Sequence, residues 1–226
     1  MAIFAISDLH LSLREPKPMD IFGDAWKDHD VRIAANWDAM VGPDDTVLVA
    51  GDHSWALRLH EAQQDLDYIA QRPGKKVLIR GNHDYWWRRE ATRRIQKNVH
   101  ESIYLMHGQG MVVENVGITG TRGWRTEAED DPDAGDAKVI NRELMYLERG
   151  LREIPEGLKK IVMLHYPPFN ADLEPNEFAD VLRSYEVDML VYGHIHSGPY
   201  LEGEVNGIEY RLVSADHTDF RPVRLV

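Results

Sequence analysis

Short apolar runs of strand length recur along the chain, at 2–6, 46–50, 76–80, 111–120, 160–164, 188–192 and 208–213. Most are β-branched or aliphatic and are bounded by Gly, Pro or Asp, which is the pattern of buried strands. Between several of them the apolar period becomes helical. Ile33, Trp37 and Met40 share one helix face, Leu59, Ala62, Leu66 and Ile69 a second, and Ile140, Leu144, Leu147, Leu151 and Ile154 a third. Strands alternating with amphipathic helices predict βαβ units in the first half. The 111–120 run and the last strands follow one another closely, which points to antiparallel pairing there. With no internal repeat and no Gly/Ser-rich or Pro-rich linker, residues 1–226 read as a single mixed α/β domain.

Composition narrows the chemistry. Hydrophobic residues make up 43% of the chain, enough for a core, and no apolar stretch approaches the ~20 residues of a membrane span. The start, MAIFAISDLH, lacks a basic segment and reads as a first strand rather than a signal peptide, so a cytoplasmic protein is expected. The absence of cysteine removes disulfides, thiolate ligands and a Cys nucleophile, and leaves nitrogen and oxygen donors for any metal. A net charge of −12 argues against a broad nucleic-acid interface, while leaving room for one anionic group in a local cationic pocket. The acidic segment 126–137 reads as a solvated loop, or as a lid whose charge discourages polyanionic substrates.

The polar residues fall where the apolar runs end. AIFAISDLH ends in Asp8 and His10, TVLVAGDHSW in Asp52 and His53, and VLIRGNHD in Asn82, His83 and Asp84. IVMLHYPP ends in His165, and DMLVYGHIH in His194 and His196. In open α/β sheets the carboxyl ends of strands are where ligand sites are built. If the strands are neighbours, Asp8, His10, Asp52, Asn82, His165, His194 and His196 converge. Seven N/O donors exceed what one divalent ion takes with room for water, and suit two ions sharing a carboxylate.

These blocks, in this order, resemble the signature of the calcineurin-like metallophosphoesterases: Asp8-Leu9-His10, Gly51-Asp52, Gly81-Asn82-His83-Asp84, His165 and Gly193-His194-Ile195-His196. The stretches KPMDIFGDAW and GDHSWA further resemble a branch of small prokaryotic predicted phosphohydrolases, in which an aliphatic residue is expected where His53 stands. The resemblance implies a four-layer α/β/β/α sandwich of two mixed sheets flanked by helices. It implies one metal on Asp8, His10, Asp52 and His196, and another on Asp52, Asn82, His165 and His194, with Asp52 bridging. It also implies hydrolysis of phosphomono- or phosphodiesters by a metal-bridging hydroxide, with His83 as general acid, Asp84 orienting His83, and Arg80 touching phosphate. The ions would be Mn, Fe, Zn or Co, and the substrate a phosphorylated small molecule rather than nucleic acid or membrane lipid.

The contrary expectation is a catalytically silent, metal-binding scaffold on the same fold; retention of all the ligands together with His83 favours the enzyme. Outside the blocks, His29, His60, His100 and His107 read as surface groups and His217 as packing or surface. His53 reads as a group tuning its neighbours or facing substrate. Tyr85, Trp86 and Trp87 read as packing at a helix start, and Trp124, between Arg122 and Arg125, as the best candidate for substrate contact beyond the ligands, although salt bridges to the nearby acidic loop explain the same arginines.

Overall fold

The computed structural model of the chain describes residues 1–124 and 137–226. The acidic segment 126–137 and Arg125 therefore lie outside the described residues, apart from residue 137 itself. Five strands form one sheet in the order β11-β1-β2-β3-β4. These are β1 (Ile3–Ile6), β2 (Thr46–Val49), β3 (Lys75–Ile79), β4 (Ile103–Met106) and the edge strand β11 (Val223–Arg224). β1 to β4 run parallel, and β11 is antiparallel to β1. The second sheet has the order β5-β6-β7-β8-β10-β9. Its members are β5 (Met111–Val113), β6 (Val116–Thr121), β7 (Lys159–Leu164), β8 (Met189–Tyr192), β9 (Gly203–Val205) and β10 (Ile208–Leu212). Its four central strands are parallel and its two edges antiparallel.

Side-chain alternation along these strands builds three apolar layers at once. Ile3, Ala5, Leu48, Val77 and Ile79 of the first sheet face Ile118, Ile161, Met163, Met189 and Val191 of the second. The intervening residues, Phe4, Ile6, Val47, Val49 and Leu78, turn outward to α1 (His29–Met40) and α2 (Leu59–Gln71) through Ile33, Trp37, Ala62, Leu66 and Ile69. On the other side Val162, Leu164, Leu190 and Tyr192 pack on α4 (Ala137–Glu153) and α5 (Glu177–Ser184), between which lie Leu147, Leu151, Phe178 and Leu182. A short helix, α3 (Thr92–Gln96), closes the first sheet beside β4. The result is the expected four-layer α/β/β/α sandwich. Burial on both faces explains why the central strands read as unbroken apolar runs.

The run 111–120 is two strands, β5 and β6, joined at Glu114, whose φ of 55° turns the chain tightly. Antiparallel pairing holds for β5–β6 and β9–β10, but β10 joins β8 in parallel. The chain between them crosses over through the His194–His196 loop and β9 before returning. Met40, expected on the buried face of α1, is 42% exposed, because that face ends at Trp37. The strands β4, β9 and β11 and the helices α3 and α5 leave no run or period strong enough to read in advance. Among the described residues no helix is long and apolar enough to cross a membrane.

Candidate metal centre

Every side chain singled out as a ligand sits on a loop leaving the carboxyl end of β1, β2, β3, β7 or β8. The first two loops are zipped together: Asp8 N donates to Gly51 O at 2.9 Å and His10 N to Asp52 O at 3.0 Å. Four of the seven, Asp8, His10, Asp52 and His194, have left-handed backbone, with φ of 57°, 46°, 53° and 72°. Such conformations cost ~1–3 kcal/mol each outside glycine and persist only where the surroundings impose them. Two glycines permit the crowding. A Cβ on Gly81 would stand 2.1 Å from Asp52 Oδ1, and one on Gly51, at φ 98°, 2.5 Å from His165 Nδ1.

Each central carboxylate divides its two oxygens. Asp8 Oδ2 accepts from the hydroxyls of Ser7 and Ser214 and from His194 N, the latter two at 3.0 Å, while Asp8 Oδ1 is buried with no hydrogen-bond partner. Asp52 Oδ1 accepts from His83 N at 2.8 Å, and its Oδ2 faces His165 Nε2 at 3.5 Å and His10 Nε2 at 3.8 Å. The histidines are turned in the same sense. His165 Nδ1 lies 3.0 Å from Ala50 O and His196 Nδ1 lies 3.0 Å from Asp216 Oδ1, which leaves both Nε2 atoms to the centre. His196 Nε2 is 3.6 Å from Asp8 Oδ1 and 3.4 Å from His10 Nε2. Asn82 Oδ1 is 2.6 Å from His165 Nε2 and 3.0 Å from His194 Nδ1.

The donors of Asp8, His10 and His196, and again of Asp8, Asp52 and His165, lie within 4.8 Å of one another. Burial pushes His10 down to about 3, against the pull of Asp8, and pushes His165 down as well, so both are neutral near pH 7. Neutral imidazole is the ligating form. Burial alone would raise Asp8, yet His165, His196, His10 and the Ser7 hydroxyl hold it at about 2. Asp52 is pushed well up by burial and by the charges of Asp8 and Asp84. Two crowded carboxylates, neutral imidazoles and an orphaned buried oxygen make a donor set that lacks only positive charge. Divalent ions with mixed N/O preference fit it.

Asp84 does not orient His83. Its Oδ2 accepts from Asp52 N at 3.0 Å, Gly81 N at 2.8 Å and His53 Nδ1 at 2.9 Å. Its Oδ1 accepts from His53 N at 2.9 Å, Ser54 N at 3.3 Å and Trp86 Nε1 at 3.0 Å. The carboxylate points back into the turn and ties the β2 loop to the β3 loop. Burial would raise its pKa, but His53 and these donors hold it well below the carboxylate range. His53, fully buried, is therefore the partner of Asp84 and does not face substrate. His83 instead packs at a tilt against Trp55, with ring centroids 4.3 Å apart and the planes at 47°, and sets Nδ1 3.2 Å from Tyr85 Oη. Burial and the nearby His165 lower it to about 4.

Beside His83, Met19, Phe22, Trp26 and Trp55, with His10 and His196, line an open pocket of about 320 Å³. Both branch-like stretches, KPMDIFGDAW and GDHSWA, thus contribute to one wall. Trp86 and Trp87 are buried against the first sheet, as expected of packing residues, although the helix that follows begins only at Thr92. Trp124 lies under Arg122 and 5.6 Å from the Tyr166 ring. His29 and His107 are not surface groups: each is less than a tenth exposed, His29 beside His10 O and Trp26, His107 against Tyr146. His217 packs against Tyr200 and lies 3.5 Å from Glu202. Its neighbour Asp216, which holds His196, was not foreseen, because a lone Asp in a terminal loop carries no spacing signal.

Two stacked mixed sheets bring histidines and carboxylates together on one edge as a candidate metal centre. The chain belongs to the calcineurin-like phosphoesterase family, whose profile matches residues 1–198. It is 40% identical over 78 residues to the Gene 66 protein of Mycobacterium phage L5, covering 34% of this chain and 37% of that one. The chain thus matches a little over a third of that relative's length. The fold is shared with the phosphopantetheinyl hydrolase of Mycobacterium tuberculosis, with TM-score 0.62, 16% identity, and 98% and 95% of the two chains covered. It is shared also with a protein of unknown function from Aquifex aeolicus, with TM-score 0.51, 17% identity, and 99% and 95% covered.

Asp84→Asn should lower stability by about 3 kcal/mol, a fall in Tm of ~6–12 °C for a chain of this size. An unchanged thermal melt would sink the clamp. Asp216→Ala should weaken Mn²⁺ affinity by about 10–100-fold, read by calorimetric titration, since it frees the ring that faces the centre. Equal affinity would remove Asp216 from the site.

Proposed function

We propose that this chain is a dinuclear phosphoesterase carried by one domain over residues 1–226. Asp8, His10, Asp52 and His196 would hold one divalent ion, and Asp52, Asn82, His165 and His194 the other. The observation that carries this reading is the division of the carboxylates, with Asp8 Oδ1 and Asp52 Oδ2 left to a space ringed by imidazole nitrogens. Bound there, the ions supply Lewis acidity and an activated water for ester hydrolysis.

The chain's own groups do the rest. Asp84 fixes the two loops, so the candidate ligands Asp52 and Asn82 hold their relative positions. Arg80, directly ahead of Gly81, is the contact for phosphoryl oxygens. His83 stands beside the apolar pocket, where the leaving group departs, and serves as the proton donor to the departing oxygen. Its pKa of about 4 in the protein alone is too low for that task at neutral pH. An incoming phosphoryl anion favours the charged imidazolium, whereas ions bound at the centre would favour the neutral ring. Trp55, packed at a tilt against the ring, keeps the imidazole at the pocket mouth.

With the protein loaded with Mn²⁺ and p-nitrophenyl phosphate as substrate, Asp52→Asn should lose bound metal and turnover together. His83→Ala should keep its metal and lose about 10²–10⁴-fold in rate. Full turnover in His83→Ala, or undiminished metal in Asp52→Asn, would overturn the respective role. A wild-type chain that binds metal and cleaves no phosphoester would be a scaffold.

A further inference from the structure

Arg122 is a buried charge that forms no salt bridge among the described residues, its acidic neighbours Glu143 and Asp52 acting on it only from a longer distance. It directly follows β6, it is 8% exposed, and its Nε has no hydrogen-bond partner among the described residues. Its position is fixed from both sides. The guanidinium carbon stands 4.1 Å from the centroid of the Trp124 ring, and its carbonyl accepts His165 N at 3.2 Å and Tyr166 N at 3.0 Å. Burial, and next the charge of Arg80, push its pKa down to about 10.

Arg80 shares the same corner. β3 and β6 belong to different sheets, yet they touch at this end: a Cβ on Gly120 would stand 3.0 Å from Ile79 Cγ2. Arg80 follows Ile79, and Arg122 follows Gly120 by two residues, so the two emerge at the seam between the sheets, one beside Asn82 and the other against His165. Arg80 Nε is also buried, with no hydrogen-bond partner among the described residues. No carboxylate of the described residues lies within 4.0 Å of either guanidinium. Two adjacent cations, one of them stripped of water, are unfavourable unless an anion joins them. Guanidinium forks match the oxygens of phosphate. In a chain of net charge −12, which repels anions at long range, this corner is built for local attraction.

We propose that Arg122, together with Arg80, seats the non-bridging oxygens of the substrate phosphoryl group and makes the centre selective for phosphomonoester dianions over phosphodiesters. The proposal rests on the phosphoesterase reading and deepens it. A monoester offers three non-bridging oxygens and two negative charges. A diester offers two oxygens and one charge, and its second ester arm stands where the third oxygen would meet the guanidinium. Trp124 covers one face of Arg122, so the fork is offered edge-on and cannot swing away across that face.

The test compares kcat/KM for p-nitrophenyl phosphate and bis(p-nitrophenyl) phosphate in wild type, Arg122→Lys and Arg122→Met, with folding checked by thermal melt. Wild type should prefer the monoester. Arg122→Met should lose about 10–100-fold on the monoester, the worth of one charge-assisted contact, and much less on the diester, with Arg122→Lys between. A wild-type preference for the diester, or equal losses on both esters, would overturn the proposal. Calorimetric titration of the EDTA-treated chain with inorganic phosphate reads the seat without turnover, and binding should weaken about tenfold or more in Arg122→Met. Phosphate binding that ignores Arg122 overturns the seat whatever the turnover. Arg122-dependent binding in a chain that cleaves neither ester would instead bring down the hydrolase reading and leave the anion seat standing.

Discussion

The buried carboxylate of Asp84 is the interaction on which the rest of this edge depends. Parallel strands end in loops with unsatisfied amides, and here the loops after β2 and β3 must come close enough for Asp52 and Asn82 to share one centre. A single anion accepting from Asp52, His53, Ser54 and Gly81 amides does this, and collects the His53 and Trp86 ring N–H groups as well. Burial makes each of these bonds stronger and each missing partner more costly. With the loops so joined, Gly81 passes directly over the Asp52 side chain, where a Cβ could not be accommodated. The left-handed backbone at Asp52 is then imposed by its surroundings.

A second constraint follows from the first. Because Asp52 Oδ1 is held by His83 N, and Asp8 Oδ2 by two serines and His194 N, neither carboxylate can rotate, and each offers one oxygen in a set direction. The imidazoles are fixed by the same logic, with Ala50 O and Asp216 each occupying one ring nitrogen. The protein thus spends ordinary hydrogen bonds on the outward side of Asp8, Asp52, His165 and His196 and turns their other donor atoms inward. Burial lowers His10, and burial together with the charges of Asp8 and Asp84 raises Asp52. Strong cation binding is the expected counterpart of this arrangement.

Much of this was legible in the sequence, for a definite reason. Parallel strands buried on both faces cannot hold polar groups, so Asp8, Asp52, Asn82, His165 and His194 stand out sharply at their ends. The layers followed from the same runs. What failed was reasoning from adjacency. Asp84 is next to His83 in the chain, but neighbouring side chains in a tight turn diverge, and the carboxylate went to His53 instead. Asp216 escaped notice while His217 beside it was weighed, since nothing local distinguishes a residue that only supports a ligand. His29 and His107 looked like surface groups because burial under an aromatic ring leaves no period. The edge strands are too short to produce a pattern at all.

The two flanks of the centre are chemically opposite, and neither lies within the five sequence blocks alone. On the His10 and His83 side, Met19, Phe22, Trp26 and Trp55 make an apolar pocket; on the Asn82 and His165 side, Arg80 and Arg122 make a cationic corner. On the proposed reading, an ester with its phosphoryl group at the arginines would direct its alcohol toward the aromatic rings, with His83 among the residues lining that pocket. That orientation separates the choice of charge from the choice of leaving group. Arg122 is held by Trp124 and by the amides after β7, whereas the pocket is held by the turns ahead of α1.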